Sequence, residues 1–218
     1  MKQYAVIGIG RFGSSIAKAL YSMGNDVLAI DIDEEKIQDI SDVVTHAVQA
    51  DAADEAILKA VGIRNFDVVI VTIGSEIQAS ILITLLCKEA GVGYIVAKAQ
   101  NELHAKVLYK VGADRVVMPE HDKGLRVAHN LVSSNVLDYI ELSPHHGVVE
   151  IEATTKWIGK TLRQLDFRAK YGANVVAIRH GDHITISPGG DDIVDEGDIL
   201  VVIGSNEDIA LLEKSQES

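Results

Sequence analysis

Tyr4-Ala5-Val6-Ile7-Gly8-Ile9-Gly10-Arg11-Phe12-Gly13-Ser14-Ser15-Ile16-Ala17 carries an apolar run through three glycines into a helical pattern. A strand that turns through glycines into a helix is the arrangement that holds a dinucleotide: Gly8 permits the tight turn, Gly10 lets backbone approach a pyrophosphate, and Gly13 lets helix and strand pack closely. The first turn of such a helix presents unpaired N–H groups and partial positive charge to an anion. A second apolar run, Asp26-Val27-Leu28-Ala29-Ile30, ends in Asp31, eighteen residues past Gly13. A carboxylate there is placed to accept both hydroxyls of an adenosine ribose.

Outward from this segment, short β-branched runs alternate with stretches of helical period, the pattern of βαβ units. Six strands are expected, near residues 4–8, 27–31, 46–50, 68–73, 94–97 and 115–118, with helices opening near Ser14, Asp33, Asp54, Glu76 and Glu102. Right-handed crossovers bring the C-terminal ends of all these strands to one ligand-holding edge. The predicted fold is α/β, a Rossmann-like doubly wound parallel sheet followed by a small α+β domain. A sixth helix is expected near 120–133, and Val136, Leu137 and Ile140 prolong its apolar stripe. With the sheet complete, that stripe reads as a dimer-forming crossover helix, with core packing as the alternative. Pro144 breaks the pattern, so domains of 1–140 and 141–218 are expected. The second carries strands near 148–153, 175–180, 184–187 and 199–204, with short helices near 161–165 and 207–212.

Composition narrows the function. A chain of 218 residues, 47% apolar with three prolines, can bury a substantial core. Its formal charge of −12, from 20 basic and 32 acidic residues, repels nucleic acid and anionic lipid, so no nucleic-acid partner is expected. The single cysteine, Cys87, lies in an apolar helical run and reads as a small buried side chain. The longest apolar stretch, Ala79 to Cys87, falls far short of the roughly 20 residues of a spanning helix. The chain opens on a strand rather than a leader pattern, and a cytoplasmic location is expected.

Arg11 adds a guanidinium to the glycine loop, which suits a ligand more anionic than a nicotinamide dinucleotide. The segment Tyr4 to Gly13 resembles the start of the Ktr and Trk ring-forming regulators of bacterial potassium uptake. So do Ile77-Gln78-Ala79-Ser80, Val96-Ala97-Lys98-Ala99-Gln100-Asn101, Gly112-Ala113-Asp114-Arg115, Pro119-Glu120-His121-Asp122 and Asp166-Phe167-Arg168-Ala169-Lys170-Tyr171-Gly172. The resemblance covers nearly the whole chain and is greatest to the Ktr branch. It implies an RCK-N (TrkA-N) nucleotide-binding domain and an RCK-C (TrkA-C) ligand domain. It further implies pairing through the crossover region, an octameric ring, and a Ktr- or Trk-type membrane potassium-translocating partner at the inner face of the membrane. ATP would favour conduction and ADP closure, with NAD(H) a possible competitor, and Arg11 would read the third phosphate from the neighbouring subunit.

The expected nucleotide site comprises Gly8, Gly10, Arg11, Phe12, Gly13, Asp31, Asp51, Ala52, Ser75, Glu76 and Lys98. Asp51 ends the third strand, where it reads either as an adenine contact or as a helix cap. Ser75 and Glu76 read as ribose or phosphate contacts or as ordinary caps, and Lys98 as a phosphate contact or a solvated strand end. By resemblance, Glu120 ligates Mg²⁺ or Ca²⁺ between two nucleotides, its alternative being a solvated helix start. By the same resemblance, Arg168, Ala169, Asn174 and Pro188 belong to a cyclic di-AMP pocket on a dimer of the second domain. Phe167, Ala173 and Val175-Val176 depart from that pattern. The eight histidines suggest no site, and no nucleophile set stands out, so no enzymatic activity is expected. Two other readings stay open: an NAD(H)-dependent oxidoreductase, for which the second domain offers no proton donor, and an adenine-nucleotide sensor with an unrelated partner.

Overall fold

Strand residues of alternating parity enter two different cores, and this sets the architecture of the first half of the chain. Ala5, Ile7, Leu28, Ile30, Val69 and Val71 join one buried cluster, whereas Val6, Val27, Ala29 and Ile70 join another. A sheet buried on both faces requires helices on both faces, as parallel sheets do. The computed structural model describes residues 2–74, 76–132, 136–143 and 145–214. It divides into two compact units, Met1–Glu120 and His121–Ser218.

The first unit runs β1 (Gln3–Ile7), α1 (Arg11–Ser22), β2 (Asp26–Asp31), α2 (Glu34–Ile40), β3 (His46–Gln49), α3 (Glu55–Ala60), β4 (Val68–Val71), α4 (Ile77–Glu89), β5 (Ile95–Lys98), α5 (Glu102–Lys110) and β6 (Arg115–Val117). It ends on the first residues of α6 (Pro119–Val132). The sheet order is β3-β2-β1-β4-β5-β6, and every pairing is parallel. The chain winds outward from β1 to β3, then returns to the far side of β1 with β4. That reversal leaves a crevice at the carboxyl ends of β1 and β4. Leu58, Ile83 and Leu108 cover one face of the sheet and Ala17, Ile37 and Ile40 the other. Cys87 lies fully inside the first cluster, where burial pushes its thiol up to about 12. Three of the five helix starts expected in the first unit carry side-chain caps: Asp33 accepts from Glu35 N at 3.1 Å, Asp54 from Ala56 N at 2.8 Å, and Asn101 from His104 N at 2.9 Å.

The second unit carries β7 (Val136–Ser143), β8 (His146–Glu152), α7 (Leu162–Leu165), α8 (Phe167–Tyr171), β9 (Asn174–His180), β10 (His183–Ile186), β11 (Ile199–Ser205) and α9 (Asn206–Lys214). Its antiparallel sheet is ordered β10-β9-β11-β8-β7. One face is covered: Val149, Ile151, Leu200 and Val202 pack with Trp157, Phe167, Ile209 and Leu212. Trp157 meets Phe167 edge-on, with ring centroids 5.0 Å apart.

One expectation is corrected here. Val136, Leu137 and Ile140 do not continue a helix; they lie on β7, which pairs with β8 in the second sheet. Register shifts between Val136 and Asp138 and between Glu141 and Ser143 break the two-residue alternation, so exposed Leu137 and Ile140 fall at a helix-like spacing. Phe167–Tyr171 forms the short helix α8, closed by Gly172 at φ +70°.

A Cβ on Gly13 would lie 2.1 Å from the Gly8 carbonyl oxygen and 2.5 Å from Thr72 Oγ1, while one on Gly10 would meet no described atom within 4 Å. Gly13→Ala is therefore expected to destabilise the chain by about 1–3 kcal/mol through overpacking. Gly10→Ala should stay within about 0.5 kcal/mol of the parent. Urea denaturation followed by circular dichroism distinguishes the two.

Candidate functional site

The crevice is a cavity of about 420 Å³ bordered by Gly8, Gly10, Arg11, Phe12, Asp31, Asp51, Ala52, Glu76, Lys98 and Glu120. Segments far apart in sequence meet there because each immediately follows a parallel strand. Gly8 takes φ +95° to turn the chain out of β1, a backbone region that side-chain-bearing residues rarely enter. Gly10 is the N-cap of α1 and makes no side-chain cap, and the first turn holds no acidic residue. The leading N–H groups of a twelve-residue helix thus face the cavity with their partial charge uncompensated by a carboxylate. Gly13 does not border the cavity. Its part is the close approach of α1 to the Gly8 carbonyl.

Asp31 is only 8% exposed, and its carboxylate serves the protein before any ligand. Oδ2 accepts from Ile9 N at 2.6 Å, Oδ1 accepts from Asp33 N at 2.9 Å, and Lys36 Nζ lies 3.5 Å from Oδ1. An ionised carboxylate offers about four acceptor sites, so these three partners leave one for a ribose hydroxyl, and a second opens only where the 3.5 Å lysine contact gives way. Thr72, unmarked in the sequence reading, is buried and donates its hydroxyl to the Gly8 and Ile7 carbonyl oxygens. A hydroxyl ending the run Val68-Val69-Ile70-Val71 was the only signal for it.

On the far side, Lys98 ends β5 with its side chain 12% exposed. Its ammonium lies 2.5 Å from Glu120 Oε1 and 5.8 Å from the centroid of the Phe12 ring. The Lys98 hydrogen bond holds the Glu120 carboxyl below the usual carboxylate range, with the Lys98 and Arg11 charges assisting against some burial. Arg11 is exposed and borders the same cavity.

The remaining expected residues divide by role. Asp51 accepts from Ala53 N at 2.9 Å, an Asx turn, while Ala52 is buried in the cavity wall. Glu76 is the exposed N-cap of α4 but gives that helix no side-chain cap, so its carboxylate is not spent on N-capping. Ser75 lies outside the described residues.

In the second unit an open groove of about 530 Å³ is bordered by Arg168, Asn174 and Pro188, together with Arg163, Asp166 and Gly189. Ala169 does not border it; its N–H donates to Asp166 Oδ1 at 3.4 Å. Asp166 at φ +46° and Ser187 at φ +55°, the two side-chain-bearing residues with positive φ among those described, flank the groove. Arg163, which the sequence reading missed, is held 3.1 Å from Asp191. His180 ends β9, and its Nδ1 lies 2.7 Å from Oδ1 of buried Asp198.

A doubly wound sheet with a glycine loop at its switch point, followed by a one-faced antiparallel domain, defines a two-part chain with the architecture of the RCK class. The TrkA-N domain family matches residues 4–119 and the TrkA-C domain family residues 148–216, so the chain belongs to the TrkA-N/TrkA-C family of potassium uptake proteins. It is 54% identical over 213 residues to Ktr system potassium uptake protein C of Bacillus subtilis (strain 168), covering 98% of this chain and 96% of that one. The GsuK channel bound to NAD matches with a TM-score of 0.55 and 27% identity, over 99% of this chain and 38% of that chain. GsuK bound to ADP matches with a TM-score of 0.53 and 29% identity, over 61% of this chain and 34% of that one. The chain thus spans less than half the length of these solved channel chains and nearly all of the Bacillus protein. Among the described residues, no helix is long and apolar enough to cross a membrane.

Proposed function

We propose that this chain is a non-enzymatic regulatory subunit of a bacterial potassium uptake system, binding ATP and ADP in the cavity after β1 and gating a membrane potassium-translocating partner. The reading rests on 54% identity along nearly the full length of a Ktr protein, in a chain whose glycine loop, helix N-terminus and Asp31 enclose one cavity. GsuK structures with NAD and with ADP support an adenine dinucleotide or nucleotide as ligand, and NAD(H) competes in this scheme. Gating follows from differential affinity: two ligands that differ by one phosphate shift an equilibrium only as far as they distinguish its states. Arg11 is the residue proposed to read the third phosphate, across a dimer. Glu120 is proposed to share Mg²⁺ or Ca²⁺ with the phosphates, carboxylate and phosphate oxygens being suitable hard ligands. The assembly is a dimer and then an octameric ring at the inner face of the membrane, and the cell compartment is the cytoplasm.

The second unit is proposed to bind cyclic di-AMP in the groove beside Arg168, Asn174 and Pro188 and so to lower potassium uptake. The groove offers the Arg168 guanidinium for phosphate and the Asn174 side chain as a polar partner for a nucleobase.

Asp31→Ala removes ribose acceptors and should weaken ADP about ten- to a hundred-fold by calorimetry. Unchanged affinity in a folded variant would refute the site. Arg11→Ala should weaken ATP about ten-fold more than ADP and blunt ATP-stimulated flux in vesicles with the membrane partner. Equal losses would leave Arg11 reading only the shared phosphates. Arg168→Ala deletes one phosphate pair from each subunit of a two-fold site, so titration with cyclic di-AMP should show binding reduced more than a hundred-fold. Wild-type protein that gives no heat with cyclic di-AMP would reject the ligand itself.

A further inference from the structure

The ammonium best placed for a ligand phosphate is already occupied by a carboxylate of the same chain. Lys98 is set by the sheet: its register partner on β6 is Val117, and Glu120 follows three residues later at the head of α6. The two members of the pair are unequally held. Lys98 is 12% exposed, its stem confined beside Gly74 and the Phe12 ring, whereas Glu120 is 69% exposed. Both border the cavity that also receives the N-terminus of α1. Glu120 carries its negative charge securely, since its carboxyl is held below the usual range by Lys98 and by Arg11.

We propose that Glu120 is an internal competitor for the anion site on Lys98, so that a nucleotide phosphate binds by parting this ion pair. The identity of the ligand rests on the nucleotide reading above; the competition rests on the geometry of the pair. An exposed ion pair contributes little, because solvent screens it and its long side chain gives up freedom to hold it. A phosphate oxygen on the same ammonium forms a charge-assisted bond that the helix N-terminus reinforces. Glu120, the exposed member, is therefore the one that leaves. Once displaced, it stands beside the phosphates as a second anionic group, which makes a divalent cation welcome only after the nucleotide has arrived. The competition acts at the start of α6, the helix on which the first unit ends and the second begins. Occupancy of the cavity thereby frees the first turn of α6 from the end of β5.

The test is calorimetry of the full chain with ADP and with adenosine, in EDTA so that no divalent cation takes part. Glu120→Gln should tighten ADP about two- to five-fold, the worth of an exposed ion pair, and leave adenosine unchanged. On a Lys98→Met background, the same Glu120→Gln change should have no effect on ADP. Added Mg²⁺ should cancel the gain, because the neutral side chain no longer helps hold the cation. If Glu120→Gln leaves ADP unchanged or weakens it in EDTA, or if the gain persists without Lys98, the competition is overturned while the nucleotide site stands. If the parent chain binds neither ADP, ATP nor NAD, the nucleotide reading itself fails and this inference with it.

Discussion

The bond from Ile9 N to Asp31 Oδ2, 2.6 Å long and buried, is the contact on which the first unit's chemistry depends. It joins the glycine loop after β1 to the end of β2, two segments related only through the sheet. A charge-assisted bond inside a low-dielectric wall is stronger than its counterpart in water. Thr72 secures the other flank of the loop through the Gly8 carbonyl, so backbone from β1, β2 and β4 is fixed as one surface. The acid that a reader of the motif assigns to the ribose is thus also a structural member. Its ligand-facing capacity is what remains after the protein has used its share.

Much of the fold was legible because the four inner strands of the first sheet are largely buried and read as short apolar runs, and because Asp33 and Asp54 mark helix starts with caps that are in fact made. The second unit was less transparent where local rules were broken. Bulges in β7 imitate helical spacing, and α8 is a single short turn of helix bounded by residues at positive φ. At the cavity, Gly8, Gly10, Arg11 and Asp31 could be foreseen because the motif is local. Thr72 and the Lys98–Glu120 pair could not, since the first reaches a carbonyl 64 residues away and the second exists only because β5 and β6 are neighbours. Sequence reading found both residues of that pair and gave each a ligand; it had no means of finding that they hold each other.

The electrostatic plan runs against the composition. A chain with a formal charge of −12 gathers Arg11, Lys36 and Lys98 around one cavity, alongside the positive end of α1. The surrounding acidity discourages polyanions in general, while the cavity's shape selects an anion small enough to enter. Asp31 and Glu120 temper the local charge, keeping the cations oriented rather than free to recruit any passing phosphate.

Cys87 offers a different kind of consequence. It is the only cysteine in the chain, fully buried in the first core, with its thiol pushed up to about 12. Since the thiolate is the reactive form, the folded protein presents a sulfur that alkylating and spin-labelling reagents do not reach. The native sequence is therefore already a silent background for spectroscopy. Two cysteines introduced at exposed positions, one in each unit, would carry the whole label, and the distance between the labels could be followed as ligands are exchanged without first redesigning the core.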